Sequence, residues 1–211
     1  MEMTMPQAAK FWDRWAERYS RSPITDEASY QHKLKVTQGY FTPDMEVLEL
    51  GCGTGSTALI HAPFVKHIRA TDLSSKMLDI ARAKAKSTSV DNVTFEQASV
   101  ETVKAADNSV DMVLALSVLH LLEDKDAALD KIYRMLKPGG LFISSTACLG
   151  DTMWYFKLIA PAGKLLGLLP TLRVFTQENL RQAHIETGFA IEQFWQPAKG
   201  KAVFMVARKP G

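Results

Sequence analysis

Hydrophobic positions change period along this chain, and each change marks an element. Ala8, Phe11, Trp12, Trp15, Ala16 and Tyr19 recur at helical spacing, with Lys10, Asp13, Arg14, Glu17 and Arg18 between them. An amphipathic helix is expected there. Pro23 closes the pattern, and Thr25 or Asp26 stands where it can cap a second helix running to about Tyr40. After Pro43, short apolar runs alternate with helical stretches. Strands are predicted over residues 46–50, 67–71, 93–97, 110–116 and 141–147, and helices from Ser56, over 75–86 and over 124–136. Lys137-Pro138-Gly139-Gly140 reads as a turn ahead of the fifth strand. Residues 152–169 are an apolar, helical interruption. A helix over 176–187 ends at Gly188, placed as a C-terminal cap, and strands over 189–195 and 202–207 follow, joined by a turn at 197–200.

Strands that alternate with helices predict an α/β fold, with a mostly parallel sheet covered by helices on both faces. The last two strands have no helix between them. They should form a hairpin that puts one antiparallel strand into a seven-stranded sheet. The 211 residues suit a single domain. Its parts are an N-terminal helical cap over 1–42, a core over 43–150, an apolar cover over 151–173, and a C-terminal helix and hairpin over 174–211.

Composition removes several function classes. A formal charge of +2 gives no basic field of the kind nucleic-acid binders show. The most apolar tract, residues 154–170, is broken by Lys157 and Lys164, so no integral membrane segment is expected. Glu2, Lys10, Asp13 and Arg14 leave no room for a signal-peptide apolar region. Two cysteines, Cys52 and Cys148, are too few for a disulfide framework or a thiolate metal cluster. A cytoplasmic protein without a metal is the expectation.

The chemistry-bearing stretch is Val47-Leu48-Glu49-Leu50-Gly51-Cys52-Gly53-Thr54-Gly55. A buried strand leads into three alternate glycines just before a helix, and glycine lets a ligand lie against bare backbone. Ligands of open α/β sheets sit at the carboxyl ends of strands. Ser56 stands where the dinucleotide fingerprint wants its third glycine, which argues against a nicotinamide oxidoreductase. Glu49 can face a cationic ligand, and Asp72, ending the next strand, can accept both hydroxyls of a ribose.

These residues resemble the class I S-adenosylmethionine-dependent methyltransferases, nearest the ubiquinone/menaquinone biosynthesis group, from about Val47 to Lys209. The resemblance implies a Rossmann-like sheet and S-adenosyl-L-methionine as cofactor. It gives Glu49 the methionine amino group and Asp72 the ribose. Gly51, Cys52, Gly53, Thr54 and Gly55 form the loop against the cofactor, and Asp72-Leu73-Ser74 with Met77 the ribose and adenine wall. Tyr19 matches a tyrosine that many relatives place over the cofactor, its other reading being the buried stripe with Trp12 and Trp15. The fourth-strand motif, Val110 through His120, brings Leu116 beside the transferable methyl. One position departs from the family: Ser99 stands where an Asp commonly accepts the adenine amino group. A neutral oxygen makes a weaker bond there, and Val100 backbone can compensate.

Methyl transfer from a sulfonium needs position and dryness more than a catalyst. His120 is the candidate general base, with packing or capping as its alternative. His32, His61, His67 and His184 read as surface or strand-edge residues. No Asp/Asn-Pro-Pro-aromatic motif follows the fourth strand, so exocyclic amines of nucleic acid are not the expected acceptor. Trp154, Tyr155 and Phe156 open the segment that relatives use as a substrate lid. Its charged residues, Lys157, Lys164 and Arg173, are all basic. A small organic or lipid-like acceptor is expected, methylated by in-line displacement. The alternatives are a cofactor-binding partner or sensor without catalysis, a nicotinamide oxidoreductase as the second enzymatic reading and, for the apolar segment, a helix that extends the core or a homodimer contact.

Overall fold

Seven strands order as β3-β2-β1-β4-β5-β7-β6 in a computed structural model that describes residues 5–165 and 169–211. Contacts cluster into two compact units, residues 5–103 and 104–211.

The first unit opens with α1 (Met5–Arg21) and α2 (Glu27–Gln38). Asp26 is the cap of α2, its carboxylate accepting the amide of Ser29 at 3.1 Å. Then come β1 (Glu46–Leu50), the short α3 (Ser56–His61), β2 (His67–Asp72), α4 (Ser75–Ser87) and β3 (Val93–Gln97). β1 pairs parallel with β2, Glu46 opposite His67 and Leu50 opposite Thr71. β2 pairs parallel with β3, Asp72 opposite Gln97. Val47, Leu48, Leu50, Ile68 and Ala70 are buried, as the unbroken apolar runs of parallel strands require. Leu78, Ala81 and Ala85 supply the buried stripe of α4.

The second unit holds β4 (Val110–Leu116), α5 (Lys125–Met135), β5 (Leu136–Thr146), α6 (Phe156–Leu165), α7 (Gln177–Thr187), β6 (Ala190–Trp195) and β7 (Val203–Arg208). β4 and β5 are parallel. β7 is antiparallel to both β5 and β6, so the hairpin puts one antiparallel strand into the sheet as expected. The C-terminal cap of α7 at Gly188 matches expectation, and the structure adds a cap at its other end. Thr176 and Asn179 form a reciprocal capping box, and Gly188 closes the helix at φ 106°.

The largest difference in a boundary is at β5. The fifth strand begins at Leu136, which pairs with Val110, and the next pair is Leu141 with Met112. The Lys137–Gly140 run is therefore looped out within β5 rather than preceding it. Gly140 makes that possible, because a side chain there would meet the Lys137 carbonyl at 2.8 Å and that of Asp111 at 3.0 Å. Lys209, just past the end of β7, anchors the loop: Gly139 N–H donates to the Lys209 carbonyl, and Lys209 N–H to that of Gly140.

Candidate functional site

The turn after β1 is held in left-handed backbone by its glycines, with φ of 66° at Gly51, 54° at Gly53 and 75° at Gly55. Cys52 N–H donates to the Thr71 carbonyl at 2.8 Å, tying the turn to β2. Gly53 N–H donates to one Asp72 carboxylate oxygen at 2.9 Å, and Ser74 N–H to the other at 2.8 Å. Asp72 is thus fixed in orientation at the end of β2. Burial raises its carboxyl pKa, opposed by those backbone bonds. The Cys52 thiol is buried and raised in pKa by that burial, so it stays protonated and fills space.

Glu49 is the unusual group. It is 3% exposed, and its Oε2 has no hydrogen-bond partner. Burial first, and the Asp72 charge second, push its pKa up to about 8. A buried carboxyl with an unused oxygen costs free energy until a donor reaches it, and a cationic donor also lets it ionise. Tyr19, on α1, lies over the loop: its Cε1 is 3.8 Å from where a Gly53 side chain would begin. Tyr30, on α2, hydrogen-bonds Thr57 at 3.3 Å and feels the Glu49 charge. These residues fit a ligand with an ammonium group and a neighbouring diol.

Three supports of this loop lie far away in sequence. Lys84 Nζ donates to the Thr54 and Ser56 hydroxyls, both at 2.9 Å. Asp13 accepts from the Ser74 hydroxyl at 2.6 Å and from Lys76 N–H at 3.2 Å. Tyr30 is the third. All three sit on polar helix faces that look solvent-facing in the sequence, and only the fold reveals their partners.

Farther along, Met77 and Val100 are buried and Leu73 half-buried, the Leu73 carbonyl accepting from Gln97 Nε2 at 3.0 Å. Ser99 is buried with its hydroxyl already engaged. Thr102 N–H donates to Ser99 Oγ at 3.2 Å, and Ser99 N–H to Thr102 Oγ1 at 3.0 Å. That reciprocal turn is a local use for Ser99 that competes with any ligand contact.

In the second unit, β4 ends at the half-buried Leu116, and Ser117 follows at φ 66°. His120 lies in a short 3-10 turn, and its carbonyl accepts Arg173 N–H at 2.8 Å. Its Nδ1 is buried without a partner, and burial lowers its pKa to about 4. Around α6, Phe156 is half-buried and Ala160 buried, whereas Trp154 (65%), Tyr155, Leu158 (74%) and Ile159 are exposed. Residues 166–168 of the expected lid, and the Lys164 side chain, lie outside the described residues. Arg173 does not add a free positive charge, because Glu123 pairs with it at 2.6 Å.

Two histidines correct the sequence reading. His61 and His184 are fully buried rather than on the surface or at strand edges. His61 packs edge-on against Phe41, 5.0 Å between centroids. His184 stacks on Phe142 at 5.5 Å, with Nδ1 2.8 Å from the Leu180 carbonyl. A neutral imidazole behaves there as an aromatic filler. Among the described residues, no group of His, Cys, Asp and Glu is placed to hold a metal ion, and no helix is long and apolar enough to cross a membrane.

Residues 48–144 match the family model described as a methyltransferase domain. The chain is 30% identical, over 180 residues, to a ubiquinone/menaquinone biosynthesis C-methyltransferase of Shewanella frigidimarina, covering 75% of this chain and 71% of that one. It is 28% identical to a demethylmenaquinone methyltransferase of Leptospira interrogans, over 85% of this chain and 81% of the relative. The crystal structure of the YcgJ protein of Bacillus subtilis superposes with a TM-score of 0.72 at 18% identity, over 86% and 99% of the two chains.

Proposed function

The chain belongs to the class I S-adenosylmethionine-dependent methyltransferases, and we propose that it methylates a small, lipid-like acceptor in the cytoplasm. The observation that carries the cofactor half is Glu49, a buried carboxyl with an unused oxygen at the mouth of the glycine loop. Bound S-adenosylmethionine supplies a methyl carbon already activated by its sulfonium. Glu49 would hold the amino group of the methionine part, directly or through water. Asp72, oriented by Gly53 and Ser74, would accept the ribose hydroxyls. Gly53 leaves its backbone bare beside the Tyr19 ring, which is in ordinary contact with its Cβ position. Leu73, Met77 and Val100 supply apolar surface for the adenine, and Ser99 would reach its amino group only by sharing the hydroxyl that Thr102 uses.

His120 is neutral at pH 7, because burial lowers its pKa to about 4. A base that weak suits orienting an acceptor or relaying its proton more than full deprotonation. The acceptor class rests on Trp154, Tyr155, Leu158 and Ile159, whose apolar side chains stand in solvent. Such a patch is stabilised by an apolar ligand or partner. Both curated relatives named above carry quinone substrates or pathways in their names, and an isoprenoid quinol has that character. The pairing of Arg173 with Glu123 removes one reason to expect an anionic acceptor.

Two measurements test this reading. Glu49 is protonated in the cofactor-free protein near pH 7 and must ionise to hold an ammonium group. Binding of S-adenosylhomocysteine should therefore release up to about one proton at pH 7, and affinity should rise as pH rises toward 8. Calorimetry in two buffers of different ionisation enthalpy reads the proton count, and Glu49→Gln should abolish it. A proton count of zero in the wild type would place the amino group elsewhere. For the acceptor, Trp154→Ala with Phe156→Ala should raise KM or lower kcat for a short-chain hydroquinone lacking its ring methyl. S-adenosylmethionine affinity should stay within about twofold. Unchanged kinetics with a fall only in Tm or dimerisation would make the segment structural.

A further inference from the structure

Helix α1 touches the glycine-loop region at two points six residues apart, and hydrogen bonds join the two. At one, the Tyr19 ring lies over Gly53, its Cε1 3.8 Å from a Cβ position there. At the other, Asp13 accepts the Ser74 hydroxyl at 2.6 Å and Lys76 N–H at 3.2 Å. Ser74 has no exposed surface. Its oxygen also accepts Met77 N–H at 3.2 Å, and its own N–H donates to Asp72. Asp72 in turn takes the N–H of Gly53 at 2.9 Å. The path Asp13–Ser74–Asp72–Gly53 therefore starts on α1 and ends beneath Tyr19, on α1 again.

We propose that Asp13 is a positioning residue that latches α1 closed over the bound cofactor and so sets how long the cofactor stays. The proposal rests on the reading of Glu49 and Asp72 as cofactor residues. Three facts favour a latch over a simple helix cap. Ser74 already caps α4 by accepting Met77 N–H, so α4 does not need Asp13 for its N-terminus to form. Asp13 instead contributes a charged acceptor from another helix, placed where the dipole of α4 favours a negative group. The same Ser74 whose hydroxyl it fixes also orients Asp72, so loss of Asp13 should reach the ribose acid as well as Tyr19. Between α1 and α2 lie only residues 22–26, with Pro23 among them. Beyond these bonds, α1 is held by its packing along α4.

The test compares Asp13→Ala, Asp13→Asn and the control Glu17→Gln, whose partner Arg21 is exposed. S-adenosylhomocysteine dissociation is followed by stopped-flow fluorescence, with Trp12 and Trp15 on α1 as reporters, alongside Tm and amide exchange of residues 8–20. Asp13→Ala should raise the dissociation rate about tenfold, since bonds to a charged acceptor are being lost. It should also speed exchange in α1 of the bound protein. Asp13→Asn, which keeps one acceptor oxygen without the charge, should fall between, and Glu17→Gln should match wild type. If Asp13→Ala lowers Tm while the dissociation rate stays within twofold of wild type, Asp13 is only a cap and the proposal is overturned. If the wild type does not bind S-adenosylhomocysteine, the site reading itself fails, and the latch fails with it. If Asp13→Ala does not fold, Asp13→Asn decides by the same two readouts.

Discussion

Alanine at position 55 should lower Tm by roughly 6–12 °C and weaken S-adenosylhomocysteine binding by at least about tenfold. Gly55 sits at φ 75°, where a Cβ costs about 1–2 kcal/mol. The added carbon would lie 2.7 Å from the Ala81 Cβ and 3.0 Å from Phe95 Cε1. Ala81 cannot swing away, because it is a buried position on α4 and its Cβ is rigid to the backbone, whereas the half-buried Phe95 ring can shift. Overpacking of this sort adds about 1–3 kcal/mol. The sum, about 3 kcal/mol, corresponds to the Tm change at about 2–4 °C per kcal/mol for a chain of this size. Gly139 is the control. It has φ 79° but nothing within 4 Å of a Cβ position, so Gly139→Ala should show the backbone penalty alone. Thermal scans of the two variants separate conformation from collision. Equal losses in both would mean that the loop relaxes around the new methyl, and that Gly55 is needed only for its φ.

Gly55 also shows what kind of information the sequence carries. Its place before a helix, at the end of a buried strand, marks a turn and a ligand loop, because those are local patterns. The collision with Ala81 and Phe95 depends on how α4 and β3 pack, which no local pattern encodes. The same division runs through the molecule. The bounds of β1, β3 and β4, the cap of α2 at Thr25 or Asp26 and the end of α7 at Gly188 were legible, since each is decided within a few residues. The start of β5 was not. A proline and two glycines mark a chain reversal, yet Leu136 on the near side of them pairs with Val110 because the loop bulges out of a continuing strand.

In the site, the glycine loop, Glu49 and Asp72 follow from strand-end positions. Asp13, Tyr30 and Lys84 do not. A charged or hydroxylated side chain on the polar face of an amphipathic helix is ordinarily solvated, and its exceptions are made by tertiary partners. Ser99 is the reverse case. Its position matches the family's adenine acceptor, while its nearest partner, Thr102, was three residues away in plain view. Serine followed at that spacing by threonine is a local turn signal, and it carries as much weight here as the family resemblance.

His61 and His184 should make the protein lose stability as pH falls from about 6.5 toward 4. Both are fully buried, and burial lowers each pKa to about 4 from 6.5. Between those values the unfolded chain binds protons that the folded chain excludes, so the unfolded state gains with acidity. A histidine with that pair of pKa values contributes a loss of about 2 kcal/mol by pH 5 and about 3 kcal/mol below pH 4. Glu49 works in the opposite direction. Its folded pKa, about 8, exceeds the ordinary carboxylate value, so acidification of the cofactor-free protein from pH 8 toward 4.5 is stabilising on its account. The raw pH profile therefore mixes the two signs and says little by itself. Differences between variants cancel Glu49. In urea denaturation at pH 7 and pH 5, His61→Leu and His184→Leu should each lose about 2 kcal/mol less than wild type between the two pH values. His61 is the sharper case, because neither ring nitrogen has a partner, whereas Nδ1 of His184 is held by the Leu180 carbonyl. A His61→Leu protein with the full wild-type acid dependence would show that this imidazole takes its proton within the folded state. Its surroundings would then have to admit a charge that an aromatic pocket against Phe41 does not accommodate.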